Sequence, residues 1–171
     1  NAKCFIFFFV DFGFSVVVCV VSPLDDWRFL VGRWRGISKG EFGEQDVIEG
    51  ETVFSLEPSE SFIMEVGEAR CKGRLVNKSV GLMFYDSREQ KFKRKTFFSY
   101  GFVNNEVECE RTRGQIKFDI RMEPLPKSFE GTRWRSFIRR ISDDKIAMGL
   151  EVAKEGEDFK RYGESILTRI G

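Results

Sequence analysis

The side chains best suited to chemistry here are arginines and tyrosines set among aromatic rings, and no histidine stands beside them. The chain has no histidine at all, which removes the most versatile acid–base group and the commonest transition-metal ligand together. Ser-His-Asp, Cys-His and His-metal chemistry are therefore excluded. The four cysteines, Cys4, Cys19, Cys71 and Cys109, lack the Cys-x-x-Cys spacing of a zinc or thioredoxin-type site. Cys71 and Cys109 read as two buried thiols in preference to one disulfide, since free cysteine behaves as a small hydrophobe.

What remains is recognition by charge and ring. Along Lys91 to Tyr100 a period of two puts Lys91, Lys93 and Lys95 on one face and Phe92, Arg94, Thr96, Phe98 and Tyr100 on the other. An inward Arg94 is costly to bury alone, so it either pairs with an internal carboxylate or waits for an anionic ligand. Glu49, Glu51 and Glu65 are the candidate partners, each read first as a solvated strand residue. Val107, Cys109 and Arg111 form a comparable set on the next strand, and Trp134, Ser136, Ile138 and Arg140 a third. Arginines facing one cavity suit a carboxylate-bearing apolar ligand, because guanidinium matches carboxylate bidentately. Arg94, Tyr100, Arg111, Trp134 and Met148 are the candidate ligand-binding residues, with no catalytic or metal-ligating group. Arg133-Trp134-Arg135 with Arg139-Arg140 could stack on a nucleic-acid base, but a solvated basic edge is the favoured reading.

The elements that must position these groups are strands. Apolar residues make up 42% of the chain and charged residues 32%, with 19 Phe against 4 Pro, a globular composition with an aromatic, strand-rich interior. The balance of 28 basic against 27 acidic residues gives no bulk attraction to nucleic acid or anionic membrane. Period-two alternation recurs from about Trp34 onward and is clearest at Ile116-Lys117-Phe118-Asp119-Ile120-Arg121-Met122. Turn signals such as Asp86-Ser87, Asn104-Asn105, Arg113-Gly114 and Asp143-Asp144 separate about ten strands at the spacing of a sandwich or barrel. Short connections force sequential antiparallel neighbours. The expectation is all-β: a closed antiparallel meander barrel over residues 22–171, which hides its edges by closure. Ser22-Pro23-Leu24-Asp25-Asp26 starts a short helix running to about Leu30 and capping one barrel end. The longer connection from Glu123 to Thr132, with Pro124 and Pro126, is placed as a flap over an end.

Residues 1–21 hold an apolar run, Cys4 to Ser22, interrupted by Asp11. It reads as a leader or anchor, or as an upstream-start artefact without a role; an extra strand or apolar arm is the minor reading. Export or membrane anchoring follows from the first, a cytoplasmic location from the second.

The segment Leu30-Val31-Gly32-Arg33-Trp34-Arg35-Gly36 resembles the Leu-x-Gly-x-Trp-x-Gly opening of nitrobindin-like, fatty-acid-binding-protein-related barrels of the lipocalin-like (calycin) kind, and of a neighbouring uncharacterised prokaryotic family. Weaker similarity runs through Gly81 to Asp86 to the closing strand, covering about Leu24 to Ile170. The resemblance implies that Trp34 closes one barrel end beneath a basic residue of the last strand, Arg169 or Arg161, in a cation–π contact. Nitrobindin-like members bind haem through a histidine that this chain lacks. Tyr100, Met148 or Tyr162 could in principle ligate iron, but without the histidine no cofactor is expected. The expected function is binding of a small, largely apolar and conceivably anionic molecule, without catalysis. The alternatives are a filled barrel serving as a structural or interaction module, and a histidine-independent enzyme. Self-association is left open.

Overall fold

Alternating side chains and short turns give the chain one economical way to hide its strand edges, and the structure takes it. The computed structural model describes residues 3–8, 15–20, 22–39 and 46–171. After β1 (Lys3–Phe8) and β2 (Ser15–Val20) comes a 3-10 helix, Pro23–Leu30. The barrel strands are then β3 (Gly32–Ser38), β4 (Ile48–Leu56), β5 (Phe62–Cys71), β6 (Arg74–Asp86), β7 (Lys91–Phe98), β8 (Val103–Thr112), β9 (Gln115–Glu123), β10 (Thr132–Arg140), β11 (Lys145–Lys154) and β12 (Lys160–Arg169). Each of these ten pairs antiparallel with the next, and β12 returns to pair with β3, closing the ring. β1 and β2 pair with each other in a separate two-stranded sheet. Asp11 and its neighbours lie outside the described residues, and so does Val21. Among the described residues no helix is long and apolar enough to cross a membrane.

A meander sends its connections alternately to the two ends, and the two ends of this barrel differ. One receives the tight turns after β4, β6, β8 and β10 and the 3-10 helix. Ser22 caps that helix by accepting a hydrogen bond from the Leu24 amide, and Pro23 opens it. Its apolar face, Leu24, Trp27 and Leu30, is buried against Phe92, Ile116, Phe118, Ile138 and Ile146, with Trp27 edge-on to Phe92 at 6.0 Å. This end is packed solid.

Trp34 is fully buried beside the helix, and its indole N–H donates to the Leu30 carbonyl at 2.7 Å. The Arg169 guanidinium lies 4.2 Å over the indole and donates to the carbonyls of Val31 and Phe29 at 2.7 and 2.6 Å. The glycine of the opening motif now has a cause. Gly32 has φ of 140°, and a β-carbon there would sit 2.3 Å from Nη1 of Arg169, so both its conformation and its neighbour demand glycine. Arg161 is elsewhere, 4.3 Å over the Phe137 ring on the outer wall.

The other end receives the connections after β3, β5, β7, β9 and β11. Cys71 and Cys109 are both free and half-buried. Burial and the neighbouring Asp119 carboxylate push the Cys109 thiol up to about 11, which keeps it protonated and unreactive at neutral pH.

Candidate functional site

The second end is hollow. A cavity of about 950 Å³ opens there, and its size follows from small residues on adjoining strands. Gly36 of β3, Gly50 of β4 and Gly67 and Ala69 of β5 share the inner wall; Gly36 and Gly67 let the Ile166 carbonyl and the Ser79 hydroxyl approach closely, and Gly50 leaves room. A β-carbon at Gly50 would touch only the Gly36 carbonyl, at 3.9 Å. Glycine inside a strand weakens it and so marks close approach or deliberate room.

Aromatic rings stand around the mouth. Phe98 and Tyr100 stack at 5.3 Å, with Phe102 edge-on to Tyr100 at 5.5 Å. Phe129 and Tyr162 flank Trp134 at 4.6 and 4.9 Å. Pro126, Ser128 and Phe129 line the cavity, so the Glu123–Thr132 connection lies over the mouth as the proline pair suggested. Tyr162 reaches the cavity because the β11–β12 register shifts beside it, between Leu150 and Glu151.

A buried charge cluster forms the floor between the hollow and the packed halves. Arg94 is 8% exposed, Glu65 7% and Glu106 3%. Arg94 donates through Nε and Nη2 to Oε2 of Glu65, at 3.1 and 2.6 Å, and through Nη1 to Oε2 of Glu106 at 3.0 Å. The Ser136 hydroxyl donates to the same Glu106 oxygen at 3.0 Å. Burial opposes the charge on Arg94, but the two carboxylates more than restore it and hold its pKa above the ordinary range. Burial raises the Glu106 carboxyl above its ordinary value, against the pull of Arg94 and the Ser136 hydrogen bond.

Of the candidate ligand-binding residues, Arg94, Tyr100, Trp134 and Met148 line this cavity. Arg111 does not. It lies at the packed end, 5.1 Å over Phe92 and paired with Glu108, because it stands beside the β8–β9 turn, opposite the buried Ile116; the rest of β8 carries the opposite face assignment to the one its valines suggest. Glu106 and Glu108 are its inward residues, Val107 is exposed, and a register shift around Cys109 separates them from Arg111. Arg140 also ends at the packed end, over Phe29. Glu51 pairs outside the barrel with Arg33 and Arg35, and Glu49 is exposed, leaving Glu65 as the internal partner of the three. The basic run around Trp134 makes no base-stacking face. Its indole turns inward, Arg133 and Arg135 lie over Phe159 at 4.9 and 3.9 Å, and Arg135 pairs with Asp119.

Glu106 was hidden from sequence reasoning by the unusual outer wall. Val53, Val66, Val80, Phe97 and Val103 lie in cross-strand register on the outside of β4 to β8, where Val66, Val80 and Phe97 are 41, 45 and 46% exposed. Apolar alternation there points outward. The recoverable signal was the acidic pair Glu106 and Glu108 in phase with each other and opposite Arg94 in the register.

No protein-family model matches the sequence, and no curated protein matches it. Solved structures do. Rv2717c from M. tuberculosis superposes with a TM-score of 0.63 over 89% of this chain and 100% of its own, at 18% identity. The S-type phycobiliprotein lyase CPES from Guillardia theta gives 0.55 over 88% and 94%, at 11% identity. The fold is a lipocalin-like barrel. At such identities the likeness is one of fold.

Proposed function

We propose that the barrel binds a small, largely apolar molecule in its hollow half and performs no chemistry on it. The observation that carries this reading is the cavity of about 950 Å³, at the upper end of the ~300 to 1,000 Å³ usual for ligand sites, rimmed by rings and floored by one polar cluster. A filled-barrel scaffold is the weaker reading, since self-filling is confined to the helix-capped end. Among lipocalin-like barrels the Gly32–Trp34 opening with its Arg169 partner favours the nitrobindin-like and fatty-acid-binding-related group. With no histidine, haem is not proposed, and neither is nucleic acid. An acidic headgroup loses its appeal because Arg94 is already bonded to two carboxylates.

Gly50→Phe is the decisive variant. Its ring projects into open space, so an apolar fluorescent probe is expected to bind at least about tenfold more weakly while the melting temperature holds or rises. Unchanged probe affinity, or no probe binding by the parent protein, would sink the reading. Native mass spectrometry before and after denaturation identifies what co-purifies. One observation favours a second reading, a histidine-independent enzyme: Glu106 is a carboxyl of raised pKa inside a cavity, as proton transfer requires. That reading predicts a bound molecule whose mass or isomeric form changes on incubation, with the change abolished in Glu106→Gln.

A further inference from the structure

The charge count at the cavity floor points to a class of ligand. Two carboxylates meet one guanidinium, and the contacts converge on one oxygen of each: Arg94 on Oε2 of Glu65, Arg94 and Ser136 on Oε2 of Glu106. Among the described residues Oε1 of Glu106 receives no hydrogen bond, and Glu106 lines the cavity. Arg94 is the sole lysine or arginine on the described lining, and both its edges are engaged. A second polar group faces the same space without a partner among the described residues, the hydroxyl of Ser38, 9% exposed on β3. Burying an unmatched negative charge is expensive unless something donates to it. A carboxylate ligand would add a third negative group. A cation would complete two pairs, and the aromatic mouth suits its passage, since ring faces attract cations.

We propose that the barrel takes an amphipathic amine, seating its ammonium on Glu106 at the floor and its hydrocarbon between Met148, Trp134 and the glycine wall. This rests on the binding reading above and narrows it. The ammonium donates to the free oxygen of Glu106, while Arg94 continues to hold Glu65 and the other oxygen. Burial shifts Glu106 toward its protonated form and a seated ammonium shifts it back, so binding releases protons over the pH range in which Glu106 of the empty barrel is still part-protonated. The charged groups facing Glu106 are Arg94 from β7 and Glu65 from β5. Affinity therefore rises with pH as Glu106 ionises and falls again once the amine loses its own proton, near pH ~10.

The test is calorimetric titration of the full chain with dodecylamine, dodecanol and dodecanoate below their micelle concentrations. The amine is expected to bind about tenfold or more tightly than the alcohol, as a charge-assisted hydrogen bond would give, and dodecanoate most weakly. Glu106→Gln is expected to bring the amine down to the alcohol's affinity and leave the alcohol unchanged. Should that variant fail to fold, proton release by the wild-type protein decides, read from amine titrations in two buffers of different ionisation enthalpy over a pH series that spans the ionisation of Glu106. Equal affinity for amine and alcohol, tightest binding of dodecanoate, or no proton release overturns the amine assignment but leaves the cavity as a binding site. If none of the three binds, the binding reading itself falls.

Discussion

Arg94→Met is expected to cost the domain about 3 to 5 kcal/mol of unfolding free energy, because it leaves two carboxylates buried with no cation between them. Domains of this kind are stable by only about 5 to 15 kcal/mol, so the variant sits near the edge of folding. The loss belongs to the orphaned carboxylates rather than to missing attraction, and this has two consequences for urea denaturation. Adding Glu65→Gln and Glu106→Gln to Arg94→Met should recover much of the stability. Acid should help as well. Burial already raises the Glu106 carboxyl in the folded state against the pull of Arg94, and losing Arg94 leaves it further above its unfolded value of about 4.3. The penalty is then full above the folded pKa and disappears as pH falls to the unfolded one. A deficit below about 1 kcal/mol, or one indifferent to pH, would mean that the floor does not hold the charges as described.

Trp34→Ala should lose about 3 to 5 kcal/mol, the range for deleting a large ring from a packed core. The ring is fully buried, supports the helix through its bond to the Leu30 carbonyl and carries Arg169 on its face. Trp34→Phe should lose less, keeping a ring under the guanidinium. A double-mutant cycle with Arg169→Ala isolates the stacking contact, expected at about 0.5 to 2 kcal/mol. If the two substitutions add without coupling, the contact is geometric and not energetic.

The ten barrel strands, the helix beginning at Ser22 and the ring formed by short connections were all legible, because alternation and turn chemistry are local signals. Arg94 was legible too: three lysines on the opposite face of β7 leave it no choice but inward. Of its partners, Glu65 stood among the three candidate carboxylates and Glu106 did not. Glu106 stands on a strand whose apolar residues face water, so the rule that places valine inside placed a carboxylate outside. Arg111 failed for another reason: the irregularity at Cys109 returns it to the phase of buried Ile116, but beside the β8–β9 turn it meets the packed end and not the cavity. The rim residues Phe102, Phe129 and Tyr162 come from turns, a 3-10 segment and an irregular register, which carry no period to read. Gly50 was the overlooked clue, a glycine in the middle of a well-patterned strand.

The seam where β12 meets β3 joins residues more than a hundred positions apart, through a register of three pairs: Leu167 with Gly36, Thr168 with Arg35 and Arg169 with Trp34. Every other neighbour in the ring is also a neighbour in sequence. During synthesis, then, nine strands can zip one after another while the wall stays an open sheet, and β3 keeps an unpaired edge until β12 arrives. Until then the floor charges and the rings of the interior face solvent. The last strand does more than complete a count: its arrival turns an aggregation-prone ribbon into a sealed vessel, and a chain interrupted anywhere before Lys160 is a candidate for degradation.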